Sequence, residues 1–267
     1  MASSKSVWSD KTALVTGASS GIGAALARRL AAGGARLVLT GRDQARLEGV
    51  AAECRAWGGP TATVAGDLTH AAARERAVAA AVELGGGVDL LVQNAGVTMN
   101  ARFEDLDPAV FRSIFEIDFF AVVDLTRLAL PSLCERRGTI LVISSLTGLV
   151  APPTRSAYAA AKHGLHGFFG SLRVELRRSR VGVTIACPGY VSTPMRLHAL
   201  LGDGSEQGHD QAEGRKMVTA DQVAEASLRG VEKRKRLVLI GRDTRLARRL
   251  SLLAPGLLDR MLARSTR

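Results

Sequence analysis

Thr12-Ala-Leu-Val-Thr16-Gly-Ala-Ser-Ser-Gly-Ile-Gly23 is the stretch that decides the fold of this chain. Residues 12–16 form a short apolar and β-branched run, the composition of a buried strand. A glycine-rich turn follows, and Ile22–Ala32 reads as a helix ended by Gly33-Gly34. Gly17, Gly21 and Gly23 stand where a strand must turn into a helix. Glycine permits the tight turn and lets backbone approach closely without a Cβ in the way. The helix start offers unpaired N–H groups and a partial positive charge, which suit a phosphate.

Outward from this unit the alternation continues. Arg36–Thr40, Thr61–Ala65, Asp89–Gln93, Thr139–Ser144, Gly182–Ala186 and Lys235–Ile240 read as strands, bringing the count to seven. Helical stretches fill the intervals: Gln44–Trp57 with Asp43 as its N-cap, then 70–84, 108–134 and 156–178. Strands separated by helices imply right-handed βαβ units, hence a parallel sheet with helices on both faces. No composition break divides the 267 residues into two domains.

Composition excludes several classes. Hydrophobic residues make up 46% and charged residues 23%, which suits a globular protein with a sizeable core. No run approaches a membrane span, and the opening Met-Ala-Ser-Ser-Lys carries no apolar signal segment. Cys54, Cys134 and Cys187 lie far apart with no C-x-x-C pair, which argues against a disulfide framework or a metal site and fits a reducing cytoplasm. Of the net charge of +11, residues 229–267 hold 12 basic against 3 acidic residues. The excess therefore belongs to the C-terminal part, and a nucleic-acid surface over the whole domain is not supported.

Tyr158-Ala-Ala-Ala-Lys162 carries the chemistry. Residues four apart share one face of a helix, so the phenol and the ammonium point the same way. A phenol titrates near ~10. A fixed cation beside it favours the phenolate and makes the group usable as a general acid or base near neutrality. Ser145 lies thirteen residues upstream, after the apolar run 139–143.

The loop spacing is G-x-x-x-G-x-G, not the G-x-G-x-x-G of the common dinucleotide fingerprint. With Asp67, Asn94-Ala95-Gly96, Ser145, Tyr158-x-x-x-Lys162 and Pro188-Gly189 in order, residues 9–241 resemble the short-chain dehydrogenase/reductases. The resemblance implies an α/β, Rossmann-like doubly wound parallel sheet of about seven strands in a single domain; the residues themselves read as a C-terminal helical tail at 242–267. It implies that Gly17, Ser19, Ser20, Gly21 and Ile22 cradle a cofactor pyrophosphate, and that Asp67 and Leu68 meet the adenine. Asp67 could instead cap the helix at 70–84. Asn94, Ala95 and Gly96 would line the cofactor, with Gln93 in the place of the usual Asn. Pro188, Gly189, Val191 and Thr193 would pack on the nicotinamide. An acid at the end of strand two would accept ribose hydroxyls and repel a 2′-phosphate. Gly41 holds that place and Arg42 follows, so NADP(H) is the expected cofactor.

By the same resemblance Ser145 would bond the substrate oxygen, Tyr158 would exchange its proton, and Lys162 would lower the Tyr158 pKa and bond the nicotinamide ribose. The expected activity interconverts a carbonyl and an alcohol. Apolar Met195, Leu197 and Leu200 in the lid favour a lipophilic substrate such as a steroid, retinoid, acyl or aromatic carbonyl; His198 reads as a lid residue. Asp118 replaces the asparagine that the family places in a proton relay to the lysine, so an altered pH dependence is expected; a solvent-facing Asp118 is the alternative. A homodimer or homotetramer is implied.

In the tail, Leu246, Leu250, Leu253, Leu257 and Met261 form an apolar stripe among arginines, split by Pro255-Gly256. It could pack on the body or a second subunit, lie on an anionic membrane, or close the site. A catalytically idle NADP-binding sensor or scaffold with this basic tail is the rival to the enzyme reading, and the intact Ser145, Tyr158 and Lys162 set argues against it.

Overall fold

A computed structural model describes residues 6–209 and 217–264. Strands β1 (Thr12–Thr16), β2 (Arg36–Gly41) and β3 (Thr61–Ala65) alternate with helices α1 (Gly21–Ala32), α2 (Gln44–Arg55) and α3 (Ala71–Gly85). Then come β4 (Leu90–Gln93), α4 (Pro108–Phe115), α5 (Ala121–Glu135), β5 (Thr139–Ile143), α6 (Ser156–Glu175) and β6 (Gly182–Pro188). Short strands β7 (Val191–Ser192) and β8 (Val218–Thr219) precede α7 (Ala220–Glu232), β9 (Leu237–Ile240), α8 (Arg242–Leu253) and α9 (Pro255–Arg264).

All neighbours in the main sheet are parallel, in the order β3-β2-β1-β4-β5-β6-β9. The chain moves outward from β1 to β3 and then returns to β4 on the other side of β1. That reversal opens a crevice beyond the carboxyl ends of β1 and β4, where this class of sheet binds ligands.

The central strands β1, β4, β5 and β6 are buried on both faces, which is why they read as continuous apolar runs. Ala13 and Val15 of β1 point to a core shared with Leu26, Leu30, Leu47 and Val223 of α1, α2 and α7. Leu14 points the other way, to Ala77, Leu125, Leu133 and Phe169 of α3, α5 and α6.

Two expectations change. The single helix expected over 108–134 is three segments: α4, a π-helical turn at Glu116–Phe120, and α5. The tail docks on the body, one of the arrangements expected for it, but through a different set of residues. Leu258 is buried, and Ala247, Leu250 and Leu262 pack against the same core as Phe169. Leu246, Leu253, Leu257 and Met261 stay exposed. Of the expected stripe, then, only Leu250 turns inward. No helix among the described residues is long and apolar enough to cross a membrane.

Candidate active site at the carboxyl ends of the strands

The glycine loop is held from beneath. Asn94 Nδ2 donates to the carbonyls of Thr16 (2.9 Å) and Gly17 (3.1 Å). The Thr16 hydroxyl accepts from the backbone N–H of Asn94 and Ala95 and donates to Val92 O. Asn94, expected to line the cofactor, therefore braces the glycine loop. Gly17 and Gly21 have φ of +62° and +55°, the left-handed region that favours glycine. A Cβ on Gly23 would sit 2.2 Å from Gly17 O, so helix and loop approach as only glycine allows. Ser20 is the N-cap of α1 but makes no side-chain capping bond, which leaves the first-turn N–H groups to a ligand. Cradle and uncapped helix end fit a pyrophosphate.

At the end of β2, the place of an acid is taken by Gly41, where a Cβ would meet Ser19 Oγ at 3.3 Å. Arg42 is exposed. Asp43 is the helix cap that its position suggested: its Oδ1 accepts from Arg46 N at 3.0 Å. Asp67 does not cap α3, whose N-cap is His70. Instead its Oδ1 accepts from Thr69 N and Oγ1 at 2.9 and 2.8 Å. Burial works against its ionisation, yet the Thr69 bonds and the charges of Arg42 and His70 hold its pKa below the ordinary value. Leu68 beside it is buried.

Tyr158 and Lys162 lie on the inner face of α6, with the ammonium 5.5 Å from the phenol ring centroid. Both are buried, Tyr158 at 8% exposure. Ser145 lies two residues beyond β5 and caps a 3-10 turn, its Oγ accepting from Thr147 N at 3.1 Å, and it bonds toward the Tyr158 phenol. Asp118 is 0% exposed. The π turn adds a residue to the helix path and swings this carboxylate inward, a frequent device at functional sites. One oxygen lies 2.7 Å from Lys162 Nζ, and the other accepts from Val97 N at 3.2 Å. A Cβ on Gly96 would stand 2.2 Å from Asp118 Oδ1, so Gly96 makes room for this pair. The solvent-facing alternative for Asp118 is excluded.

The pair alters the expected electrostatics of the tyrosine. Burial raises the Tyr158 pKa above its ordinary value; Lys162 opposes this, and Asp118 adds to it. Lys162 pulls the Tyr158 pKa down, as the sequence implied, but desolvation by burial outweighs it. Burial raises the Asp118 pKa against the pull of Lys162. For Lys162 burial lowers the pKa, but Asp118 and then Tyr158 outweigh it and hold the ammonium charged.

Under Ser145 lies a network that the sequence did not disclose. Ser144 Oγ and Cys187 Sγ approach His166 Nε2 at 3.0 and 3.7 Å. Burial brings His166 down to about 4 and pushes the Cys187 thiol up to about 12, so both are neutral at physiological pH. The network ties β5, β6 and α6 together immediately below the candidate centre.

Pro188 ends β6, and Gly189 N donates to Ile240 O at 3.2 Å. Gly189 abuts the buried Thr244 of α8, whose Oγ1 a Cβ would meet at 2.8 Å. Val191 is buried, and Thr193 reaches across to Gly21, where a Cβ would touch its methyl at 3.2 Å. Of the apolar lid residues, Leu200 packs with Tyr158 and Met99, while Met195 and Leu197 are exposed. His198 pairs with Glu206 at 2.6 Å, a lid contact. Leu200 N donates to Thr98 O, and Asp107 N donates to Gly202 O, so 200–202 is bonded to the 98–107 loop. Arg155, three residues before Tyr158, was also missed. Its Nη1 donates to Thr98 Oγ1 and Met99 O, and only the contact across the fold distinguishes it from a surface charge.

Comparison with known proteins agrees with this geometry. Residues 11–200 match the family model for short chain dehydrogenase. The chain is 38% identical over 265 residues to dehydrogenase/reductase SDR family member 7B of Bos taurus, covering 95% of this chain and 81% of that one. It is 37% identical over 183 residues to the ketoacyl reductase HetN of a Nostoc species, covering 68% of this chain and 64% of that protein. Among solved structures, an alcohol dehydrogenase from the archaeon Thermococcus sibiricus, complexed with 5-hydroxy-NADP, superposes with a TM-score of 0.75 at 29% identity over 86% of this chain and 95% of that chain. A short chain dehydrogenase/reductase from Burkholderia phymatum in complex with NAD gives 0.82 at 25% identity over 94% and 95%.

Proposed function

The chain belongs to the short-chain dehydrogenase/reductase family, and from that premise we propose an NADP(H)-dependent oxidoreductase that interconverts a lipophilic ketone or aldehyde and its alcohol. The observation that carries this reading is the buried Tyr158–Lys162 face with Ser145 against the phenol, at the carboxyl ends of the strands.

The glycine loop, with Ser19, Ser20 and Ile22, would hold the pyrophosphate, and Asp67 and Leu68 the adenine side. Arg42 would meet a 2′-phosphate, since a guanidinium binds it through two parallel hydrogen bonds and Gly41 presents no competing carboxylate. Pro188, Gly189, Val191 and Thr193 would flank the nicotinamide, with Lys162 on its ribose. Bound there, the nicotinamide supplies or accepts the hydride.

Ser145 donates a hydrogen bond to the substrate oxygen. Tyr158 delivers its proton to the alkoxide that develops there, and Lys162 stabilises the phenolate left behind. A Tyr158 pKa kept high suits the protonated acid that reduction needs. Asp118 fixes the ammonium through a direct contact. Leu200, with Met99 and Val97 behind it, supports an apolar substrate wall. The protein is taken to act in the cytoplasm as a homodimer or homotetramer.

Oxidation of NADPH and of NADH, measured against a panel of ketones, tests the reading. Turnover lost in Tyr158→Phe, with NADPH preferred and the preference lost in Arg42→Ala, is the expected result. Equal efficiency with both cofactors would overturn the NADP(H) assignment; turnover surviving in Tyr158→Phe would overturn the mechanism.

A further inference from the structure

We propose that the outward face of α8 and α9 is a docking surface for an anionic lipid bilayer, with the apolar corner at 252–257 seated among the acyl chains and the flanking arginines on lipid phosphates.

Each of the two helices has two apolar sides, and the body uses only one. On the docked side Thr244 is buried, and Ala247 and Leu250 of α8 pack on the core with Leu258 and Leu262 of α9. On the other side of α8 stand Arg242, Arg245, Leu246, Arg249 and Leu253, all exposed. Their three- and four-residue steps place them on one helix face. α9 repeats the arrangement with Leu257, Arg260, Met261 and Arg264, again exposed. Leucine and arginine therefore alternate along a face that the core leaves in water.

The corner between the helices is the most apolar part of that face. From Ser251 to Leu258 the chain carries no charge, and Arg249 and Arg260 stand on either side. Leu252 and Leu253 are 64% and 84% exposed, and Leu257 follows across Pro255-Gly256. Single exposed leucines are ordinary on a protein surface. Several close together, rimmed by charge, mark an interaction site.

Charge selects the occupant. α8 and α9 hold six arginines against two acids, Asp243 and Asp259. In a two-fold contact between copies this face would meet itself, arginine against arginine. An anionic bilayer complements both components. Its phosphates suit the guanidinium fork, and its acyl chains take the leucines. The arginine stems are themselves apolar and lie along the lipid while their heads stay at the phosphates. No helix among the described residues is long and apolar enough to cross a membrane, so the contact is peripheral. It uses no residue of the candidate active site, and it holds whether or not the reductase reading does.

Flotation of the full chain with vesicles tests the surface. Vesicles of phosphatidylcholine alone are compared with vesicles that also contain about 30% phosphatidylserine. The wild type should bind the anionic vesicles at least roughly 10-fold better, and less in about 0.5 M than in about 0.1 M salt. The double variant Leu253→Ser, Leu257→Ser should lose most of that binding. Arg249→Gln with Arg260→Gln should weaken it and flatten its salt dependence. All four positions are exposed, so melting temperatures should stay at the wild-type value and establish that the variants are folded. Equal binding to neutral and anionic vesicles, no binding by the wild type, or wild-type binding by the double leucine variant overturns the proposal. So does sedimentation that shows the leucine variant breaking an oligomer while neither protein floats, since the face would then be a contact between copies.

Discussion

Asp118 and Lys162 form a buried ion pair at 2.7 Å, with the carboxylate fully enclosed and the ammonium nearly so. The carboxylate comes from a π turn between α4 and α5, the ammonium from α6. Neither can change charge without affecting Tyr158, because both act on its phenol.

Asp118→Asn should shift the pH–rate profile. The carboxylate disfavours the phenolate, so its removal lowers the Tyr158 pKa. In reduction Tyr158 serves as the acid, and activity is lost as pH rises through its pKa. The alkaline limb should therefore move to lower pH, read as kcat/KM against pH. The substitution also leaves Lys162 buried without its counter-ion, which costs about 3–5 kcal/mol of stability. A profile superimposable on the wild type would sink the role given to Asp118.

Gly23→Ala should weaken cofactor binding at least ~10-fold, since the new Cβ falls 2.2 Å from Gly17 O and must displace the loop or the helix. Gly167→Ala in α6, with nothing within 4 Å of the added carbon, is the control and should stabilise by about 0.5–1 kcal/mol. Fluorescence titration with NADPH, together with thermal melting, separates the two. Unchanged affinity in Gly23→Ala would remove the close-packing argument for the loop.

His166 predicts an acid-dependent loss of stability. Its pKa is near 6.5 when unfolded and about 4 in the fold. As pH falls through 6.5 the unfolded chain takes up the proton and the folded chain does not. This contribution is complete above that value and declines toward pH 4, by an amount on the order of 3 kcal/mol and less where water screens the ring. His166→Gln should flatten the difference between urea unfolding at about pH 7 and at about pH 4.5. A variant with the wild-type slope would show that the ring is not buried neutral.

The tail should divide into two kinds of leucine. Leu258 is 7% exposed within the core, so Leu258→Ala should cost about 2–5 kcal/mol. Leu253 is 84% exposed, and Leu253→Ala should stay within about 0.5 kcal/mol. Equal effects in chemical denaturation would mean that α9 is not docked as described.

The strands and most helices were legible because each follows from local chemistry. β1 and β3 match their expected ends, and α1 begins at Gly21, one residue before the expected Ile22. Asp43 was recognisable as a cap because capping spans three residues. The break at Glu116–Phe120 was not legible: the run Phe115-Glu-Ile-Asp-Phe-Phe has helix periodicity throughout, and the extra residue is favoured only by burying Asp118 against Lys162. The tail misled for a related reason. Its four- and three-residue steps define a stripe, but two helices joined at Ala254 present different sides to the core, and the inward set became Ala247, Leu250, Leu258 and Leu262.

By itself, then, the sequence determined the parallel sheet, the phosphate cradle and the shared face of Tyr158 and Lys162. Those depend on strand and helix periods and on glycine's freedom, which act between near neighbours. The tertiary structure alone decided that Asp118 is buried, that Tyr158 is held above its ordinary pKa, that Ser144, His166 and Cys187 meet, and that Arg155 pins the 98–99 loop to the start of α6. Each of these rests on desolvation and through-space charge between residues far apart in the chain, and no local pattern encodes how much water a side chain loses.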